Sequence, residues 1–262
     1  MATADFNRYI DKLSRNVYGS VKGKIRLRLL NNDLREFCCD FDRGGLSILD
    51  AGCGEGQFSE GCLERGHRVL LLDLEEQMIE RAAQRISPYL AAGQAALECA
   101  DFLAWQPTVP SLFDLIFLHG SAEWMDDATQ AIGKACHLLR DGGTLSLLMF
   151  NRDVHMFKKG INGHLGGQDP NRKQKLFPPQ AQRVARTVEV LGEQPGKILL
   201  QSGIRIFYGF FRESALADVS EETWLMQEQQ FYREPPFSSL GQHTHFVWQK
   251  MGSNRVGRNN GE

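Results

Sequence analysis

At 262 residues, 42% of them apolar, the chain can bury one large core, or one core with a subdomain. The net charge of −2 hides an uneven distribution: residues 8–28 carry +6, residues 151–175 carry +4, and the remainder carries −12. Such asymmetry points to a basic face for a polyanion. Cys38, Cys39, Cys53, Cys62, Cys99 and Cys136 form no CxxC pair and no Cys/His cluster at zinc spacing, which excludes a zinc ribbon and leaves six thiols suited to a reducing compartment. With no apolar leader and no run of membrane-spanning length, a soluble cytoplasmic protein without a resident metal is expected.

In chain order, Phe6–Phe41 reads as largely helical, interrupted at Gly19–Gly23. SILD (Ser47–Asp50) is a short apolar run ending in an acid, followed by the turn AGCGEG and a helical stretch over Gln57–Arg65. HRVLLLDL (His67–Leu74) is a buried strand, and Glu75–Ile86 has helical spacing with two acids in its first turn, where the helix dipole favours them. ALECADF suits a third strand and DLIFLHG (Asp114–Gly120) a fourth. Ala128–Leu139 is an amphipathic helix, RDGG turns the chain, and TLSLLMF is a fifth strand. Strand and helix alternate, so the strands should be parallel with helices on both faces. After Asn151 the pattern breaks, and residues 152–180, rich in Gly, Pro and basic residues, read as a loop-rich insertion or lid over the site. Helix resumes over Gln182–Glu193, strand over KILLQSGIRIFYGFF, helix around Glu221–Tyr232 and a closing strand in HTHFVWQK (His243–Lys250).

The turn places Asp50 at a strand end, then Gly52, Gly54 and Gly56. A dinucleotide-binding GxGxxG would need glycine at Gln57, so the spacing is acid-x-GxGxG instead. With S-adenosylmethionine (SAM) there is no pyrophosphate to cradle, and the glycines make room for the nucleoside and methionine parts. Asp73, ending the second strand, is placed to accept hydrogen bonds from both ribose hydroxyls, although the same acid suits NAD. In ECADF, Asp101 and Phe102 are suited to meet the adenine amino group and cover its ring.

The set D-x-G-x-G-x-G, Asp73, the ADF acid and LLRDGGTL resembles the class I SAM-dependent methyltransferases over about residues 46–150. The features YG-x-x-KG-x-x-R, LDAGCGEGQ, LFDLIFLHGSAEW, LSLLMFN and GIRIF narrow the resemblance to the tRNA 5-carboxymethoxyuridine methyltransferases, from Phe6 to about Trp248. The resemblance implies a Rossmann-like α/β fold with a mostly parallel seven-stranded sheet. The reading along the chain divides it into a helical basic arm at 1–45, a core at 46–150 that the resemblance makes SAM-binding, a basic insertion or lid at 151–185, completion of the same domain at 186–251 and a disordered tail at 252–262. The resemblance also implies methyl-ester formation on the carboxylate of a modified wobble uridine, with tRNA as partner and no obligate protein partner. SAM contacts carried over by resemblance are Arg26, Gly52, Cys53, Gly54, Asp73, Asp101, Phe102 and His119.

A carboxylate is already ionised at neutral pH, so no general base is expected, and positioning should supply most of the rate. One cation is needed to orient the carboxylate. Arg15, Arg205 and Arg233 are the candidates, with Tyr18 and Asn151 as hydrogen-bonding neighbours. Trp124 could stack on a base, and Lys22, Lys24 and Arg28, with Lys158, Lys159, Arg172, Lys173 and Lys175, could track RNA phosphates. Two other readings stay open: a methyltransferase for a small carboxylic acid or phenol, and a SAM-binding tRNA adaptor without turnover.

Overall fold

The computed structural model describes residues 20–107, 112–161, 178–210 and 219–252. Helix α1 (Val21–Phe37) starts at Ser20, whose hydroxyl accepts from the Gly23 amide, and its buried face is Ile25, Leu29, Leu30 and Leu34. The interruption expected at Gly23 does not occur there: Gly23 is a buried residue of the helix's first turn. Residues 1–19 of the proposed N-terminal arm lie outside the described residues, as does almost all of the tail.

Strand β1 (Ser47–Ala51) leads through the glycine turn to α2 (Gln57–Glu64), β2 (Arg68–Asp73), α3 (Glu76–Arg85), a short α4 (Ser87–Ala91) and β3 (Ala95–Cys99). Then come β4 (Phe113–His119), a 3-10 turn (Ala122–Trp124), α5 (Ala128–Leu138), β5 (Leu139–Phe150) and α6 (Arg152–Ile161). The chain closes with α7 (Val184–Gly192), β6 (Gly196–Ile204), α8 (Glu221–Phe231), a second 3-10 turn (Phe237–Ser239) and β7 (His243–Lys250). Helix α6 corrects the loop-rich expectation for the first ten residues after Asn151: Asn151 Oδ1 accepts from the Val154 amide and caps it. Residues 162–177 lie outside the described residues.

The seven strands form one sheet in the order β3-β2-β1-β4-β5-β7-β6, with β7 antiparallel to both of its neighbours and every other pair parallel. Alternation along the strands feeds two cores. Leu49, Ile116, Leu118 and Leu147 pack with α5 and α7 on one face; Ile48, Leu71, Leu115 and Phe117 pack with α1, α2 and α3 on the other. A third cluster joins Ile25 and Leu29 of α1 to Leu148, Ile204 and Trp224. Residues expected only as a turn, RDGG, are absorbed into β5 as a register shift opposite Phe113 and Leu115. Strand β6 stops at Ile204 because Arg205 takes φ +64°, a left-handed conformation unusual for a residue with a Cβ. Because these strands are parallel, the carboxyl ends of β1, β2, β3 and β4 lie on one rim, where an open α/β sheet binds its ligands.

Candidate cofactor and substrate site

The glycine turn turns its N–H groups inward. The Gly52 and Cys53 amides donate to the Leu72 carbonyl at 2.7 and 3.0 Å, the Gly54 amide to Asp73 Oδ2 at 2.8 Å, and the Gly56 amide to the Cys53 carbonyl at 3.0 Å. A phosphate-binding turn aims such donors at its anion; here four of them are spent on the protein. What Gly52 and Cys53 leave for a ligand is carbonyl oxygen, suited to an ammonium group and not to a pyrophosphate. The ambiguity that Asp73 left between SAM and NAD is thereby reduced by the turn's own hydrogen bonding. Gly52, at φ +82°, is also demanded by packing, since a Cβ there would stand 2.3 Å from Ser121 Cβ. That glycine makes room for the neighbouring chain, where the sequence suggested room for the ligand.

Asp73 accepts from the Gly54 and Glu75 amides, one on each carboxylate oxygen, and these bonds orient it at the end of β2. Burial raises its pKa against those amides, and hydroxyls that donate to its remaining lone pairs would favour the ionised form. Asp101 is exposed, with Oδ1 taken by the Leu103 amide. Phe102 differs from expectation: its side chain is 2% exposed, in the core beneath Lys134 Nζ, so the ring is not placed to cover an adenine. Residue 102 offers its backbone at the rim.

Between α1 and the turn lies a pocket lined by Gly23, Arg26, Asp50, Gly52, Cys53, Gln57 and His119, among others. Asp50 is buried and accepts from Ser59 Oγ at 2.6 Å; burial pushes its carboxyl up to about 7. His119 stacks on Phe117, meets Phe58 edge-on and shares a 2.7 Å hydrogen bond with Ser146 Oγ through Nε2. Burial, then the charges of His245 and Arg26, hold its imidazole neutral. The pocket therefore gathers Arg26, Gly52, Cys53 and His119 of the expected SAM contacts, while Gly54, Asp73, Asp101 and Phe102 follow along the rim.

Beside it lies a second polar cluster. Arg205 donates from Nη2 to Gln242 Oε1 at 2.7 Å, while its buried Nε has no acceptor among the described residues. Burial, then the charge of Arg26, brings its guanidinium down to about 10, still charged at neutral pH. His243 Nδ1 is likewise buried without a partner, and burial followed by the charges of Arg26 and Arg205 keeps that ring neutral. Glu123 accepts from the Phe150 amide and is pushed up to about 7 by burial, with Arg26 pulling the other way. Glu228 fixes Arg205 from below: its carboxylate takes the successive amides of Ile206, Phe207 and Tyr208 at 2.7–3.0 Å. Glu123, Glu228 and His243 were not singled out in the sequence, where nothing local marks them. They sit far apart in the chain and only the fold assembles them.

Other substrate candidates go elsewhere. Arg233 is engaged by two acids, with Nη2 2.8 Å from Asp33 Oδ1 and Nη1 bound to Glu36, and it lies over Phe37 and Tyr232 in a different groove. Its fork is already filled, so it is a structural arginine. Asn151 is buried and spent on the α6 cap and the Ser239 carbonyl. Lys24 pairs with Glu221 at 2.8 Å, which ties α1 to α8 and removes it from the set of uncommitted RNA contacts. Trp124 is 41% exposed in the turn after β4, open to a stacking partner. Lys22 and Arg28 lie on α1, Arg28 exposed; Lys158 bonds the Gly209 carbonyl and lies over Phe210, and Lys159 is in the last turn of α6. Arg15, Tyr18, Arg172, Lys173 and Lys175 lie outside the described residues.

A seven-stranded sheet with an antiparallel seventh strand, an acid-x-GxGxG turn and an acid ending β2 define a class I methyltransferase, and a methyltransferase domain model matches residues 48–143. The magnesium protoporphyrin IX methyltransferase from Synechocystis PCC 6803, solved with bound SAH, shares the fold at TM-score 0.63, with 16% identity and 95% of each chain covered. A malonyl-[acyl-carrier protein] O-methyltransferase from Paenibacillus sp. (strain JDR-2) is 37% identical over 112 residues, 42% of this chain and 40% of its own length. The tRNA 5-carboxymethoxyuridine methyltransferase of Escherichia coli (strain K12) is 31% identical over 259 residues, 97% of this chain and 98% of its own. The chain belongs to that family.

Proposed function

We propose that this protein methylates the carboxylate of 5-carboxymethoxyuridine at the wobble position of tRNA, with SAM as methyl donor, to give the methyl ester. One observation carries the reading: the buried Nε–H of Arg205 has no acceptor among the described residues and lies within electrostatic reach of Arg26, which lines the pocket suited to the donor's methionine end. A guanidinium in that setting fits a carboxylate.

SAM, when bound, supplies an electrophilic methyl group on a sulfonium. The residues that would hold it are Asp73 for the ribose, Asp101 and the backbone of Phe102 for the adenine, and Arg26, the Gly52–Cys53 carbonyls and His119 for the methionine end. Arg205 would hold one oxygen of the substrate carboxylate, leaving the other to attack. A carboxyl of pKa about 3.5–4 arrives ionised, so no residue of this chain has to remove a proton. Asp50, Glu123 and His119 are then binding and shaping groups. Opposite charges on the reactants are partly neutralised at the transition state, so a site with few mobile waters favours transfer. Orientation is the main contribution, for which up to about 7–11 kcal/mol is available in principle. Trp124 and the exposed cations of α1 and α6 are the proposed contacts to the anticodon loop. Among the described residues no helix is long and apolar enough to cross a membrane, and a tRNA substrate fits the cytoplasm.

The test is transfer of labelled methyl from SAM to tRNA carrying or lacking the carboxymethoxy group. Label should enter only the carboxylated tRNA, in a linkage that mild base hydrolyses. Transfer to a free small acid with no response to tRNA, or binding without transfer, would overturn the proposal.

A further inference from the structure

After β3 the chain turns over residues 100–105, and a half-buried cation from α5 meets that turn. Lys134 Nζ donates to the Leu103 carbonyl at 3.1 Å and to the Trp105 carbonyl. It also stands 5.3 Å from the centroid of the Phe102 ring and 6.0 Å from that of Trp105. The turn is tied from within as well. The Leu103 amide donates to Asp101 Oδ1 at 2.9 Å, the Trp105 amide to the Asp101 carbonyl at 2.8 Å, and the Ala100 amide to the Asp73 carbonyl at 2.9 Å. Trp105, 7% exposed, donates from its indole to Glu98 Oε2 at 2.5 Å.

Packing alone does not ask for a lysine at 134. An apolar side chain would cover Phe102 and Trp105 without the desolvation that pulls the ammonium's pKa down, against which only the charge of Asp101 acts. The two carbonyls do ask for one: turned toward α5, they need donors, and an ammonium supplies several N–H groups from one point. Holding the carbonyls of 103 and 105 fixes the peptide planes around residue 104. With Oδ1 of Asp101 taken by the Leu103 amide, Oδ2 is left as an acceptor beside the residue-102 backbone at the rim. An acceptor next to a backbone N–H matches the edge of adenine, whose N6 amino group donates and whose N1 accepts. Hypoxanthine reverses both roles, with O6 accepting and N1–H donating.

We infer that Lys134 is a positioning residue for base selection: by holding the Leu103 and Trp105 carbonyls it sets the Asp101 carboxylate and the residue-102 amide side by side, in register for adenine. Lys134 acts through the turn and not through contact with the ligand. The inference rests on the reading of Asp101 and the residue-102 backbone as the adenine contacts.

The experiment is calorimetric binding of S-adenosylhomocysteine and of S-inosylhomocysteine, in which hypoxanthine replaces adenine, to the full-length protein. The wild type should prefer the adenine ligand by about 10-fold or more, the worth of two matched hydrogen bonds. Lys134→Met, which keeps the apolar stem, should weaken S-adenosylhomocysteine roughly 3- to 10-fold and leave S-inosylhomocysteine nearly unchanged, so that the ratio narrows. Lys134→Arg, which keeps a charged donor, should restore the ratio. A merely structural lysine would lower the melting temperature of Lys134→Met without narrowing the ratio, and that result in a folded variant overturns the inference. Asp101→Ala tests the underlying reading by itself. An unchanged ratio there removes the adenine contact and the inference with it; a narrowed ratio there beside an unchanged one in Lys134→Met overturns the inference alone. Should Lys134→Met not fold, the 15N-lysine spectrum of the wild type decides, with Lys134 assigned from Lys134→Arg. Its ammonium resonance should move when S-adenosylhomocysteine binds and move less with S-inosylhomocysteine; an equal response to both overturns the inference.

Discussion

At the scale of single residues, the site is organised by two arginines with different duties. Arg26 reaches the pocket from α1 and biases four titratable groups, pulling Glu123 down and pushing His119, Arg205 and His243 away from their charged forms. Arg205 stands in a left-handed backbone conformation, which costs a residue with a Cβ about 1 kcal/mol or more. A strained, charged and incompletely paired arginine does little for stability, and its placement makes sense for a ligand. Replacing it by glycine should therefore leave the melting temperature unchanged or slightly higher, because glycine accepts that φ freely. The same variant should lose about 10- to 100-fold in kcat/KM on carboxylated tRNA, the worth of one charge-assisted hydrogen bond. A thermal melt and a methyl-transfer assay on one preparation check both halves. Asp73→Ala should weaken S-adenosylhomocysteine affinity by about 10-fold or more in calorimetry, since the residue would lose two hydroxyl partners at once; unchanged affinity would refute its ribose role.

At the scale of elements, the site depends on how segments end. Helix α6 begins where Asn151 closes its first turn, and Asn151→Ala should cost about 1 kcal/mol from the cap alone. Because Asn151 also holds the Ser239 carbonyl from a buried position, denaturant unfolding should report more than that, with activity per folded molecule little changed. Strand β6 ends in the three amides gathered by Glu228, which form a nest around a carboxylate. Glu228→Ala would strand those donors and release the segment that aims Arg205. Loss of both stability and transfer activity should follow, the stability part about 2–4 kcal/mol for buried groups left unpaired. These ends were only partly legible in advance. The helical period of Glu221–Tyr232 and the alternation of HTHFVWQK are visible in the chain, but Ser239, which Asn151 holds, and the amides that Glu228 gathers lie 20 or more positions away. Asn151 and Arg233 looked like substrate ligands for that reason: their residue types fit, and the neighbours that occupy them are remote in sequence.

At the scale of the whole molecule, two buried carboxyls sit within the sheet and its α1-covered face. Asp50 and Glu123, each pushed up to about 7 by burial, bind protons in the folded state that the unfolded chain releases near pH 4. Their contribution to stability is thus intact below about pH 4 and declines as pH rises through about 7. Thermal melts of the ligand-free protein at pH 5 and pH 8 should show a drop that flattens in Asp50→Asn and Glu123→Gln; an equal slope in both variants would refute the burial argument. The amino-acid sequence by itself determined the alternation of strands and helices, the acid-x-GxGxG turn and the ribose-type acid, since each rests on short-range periodicity, on glycine's backbone freedom or on a strand's apolar run. Tertiary structure alone decided which way the turn's amides point, which arginine is left unpartnered and how Arg233 and His245 reach Asp33. Those outcomes depend on packing between residues as far as 212 positions apart, where hydrogen-bond satisfaction in a water-poor interior, and no local pattern, selects the partners.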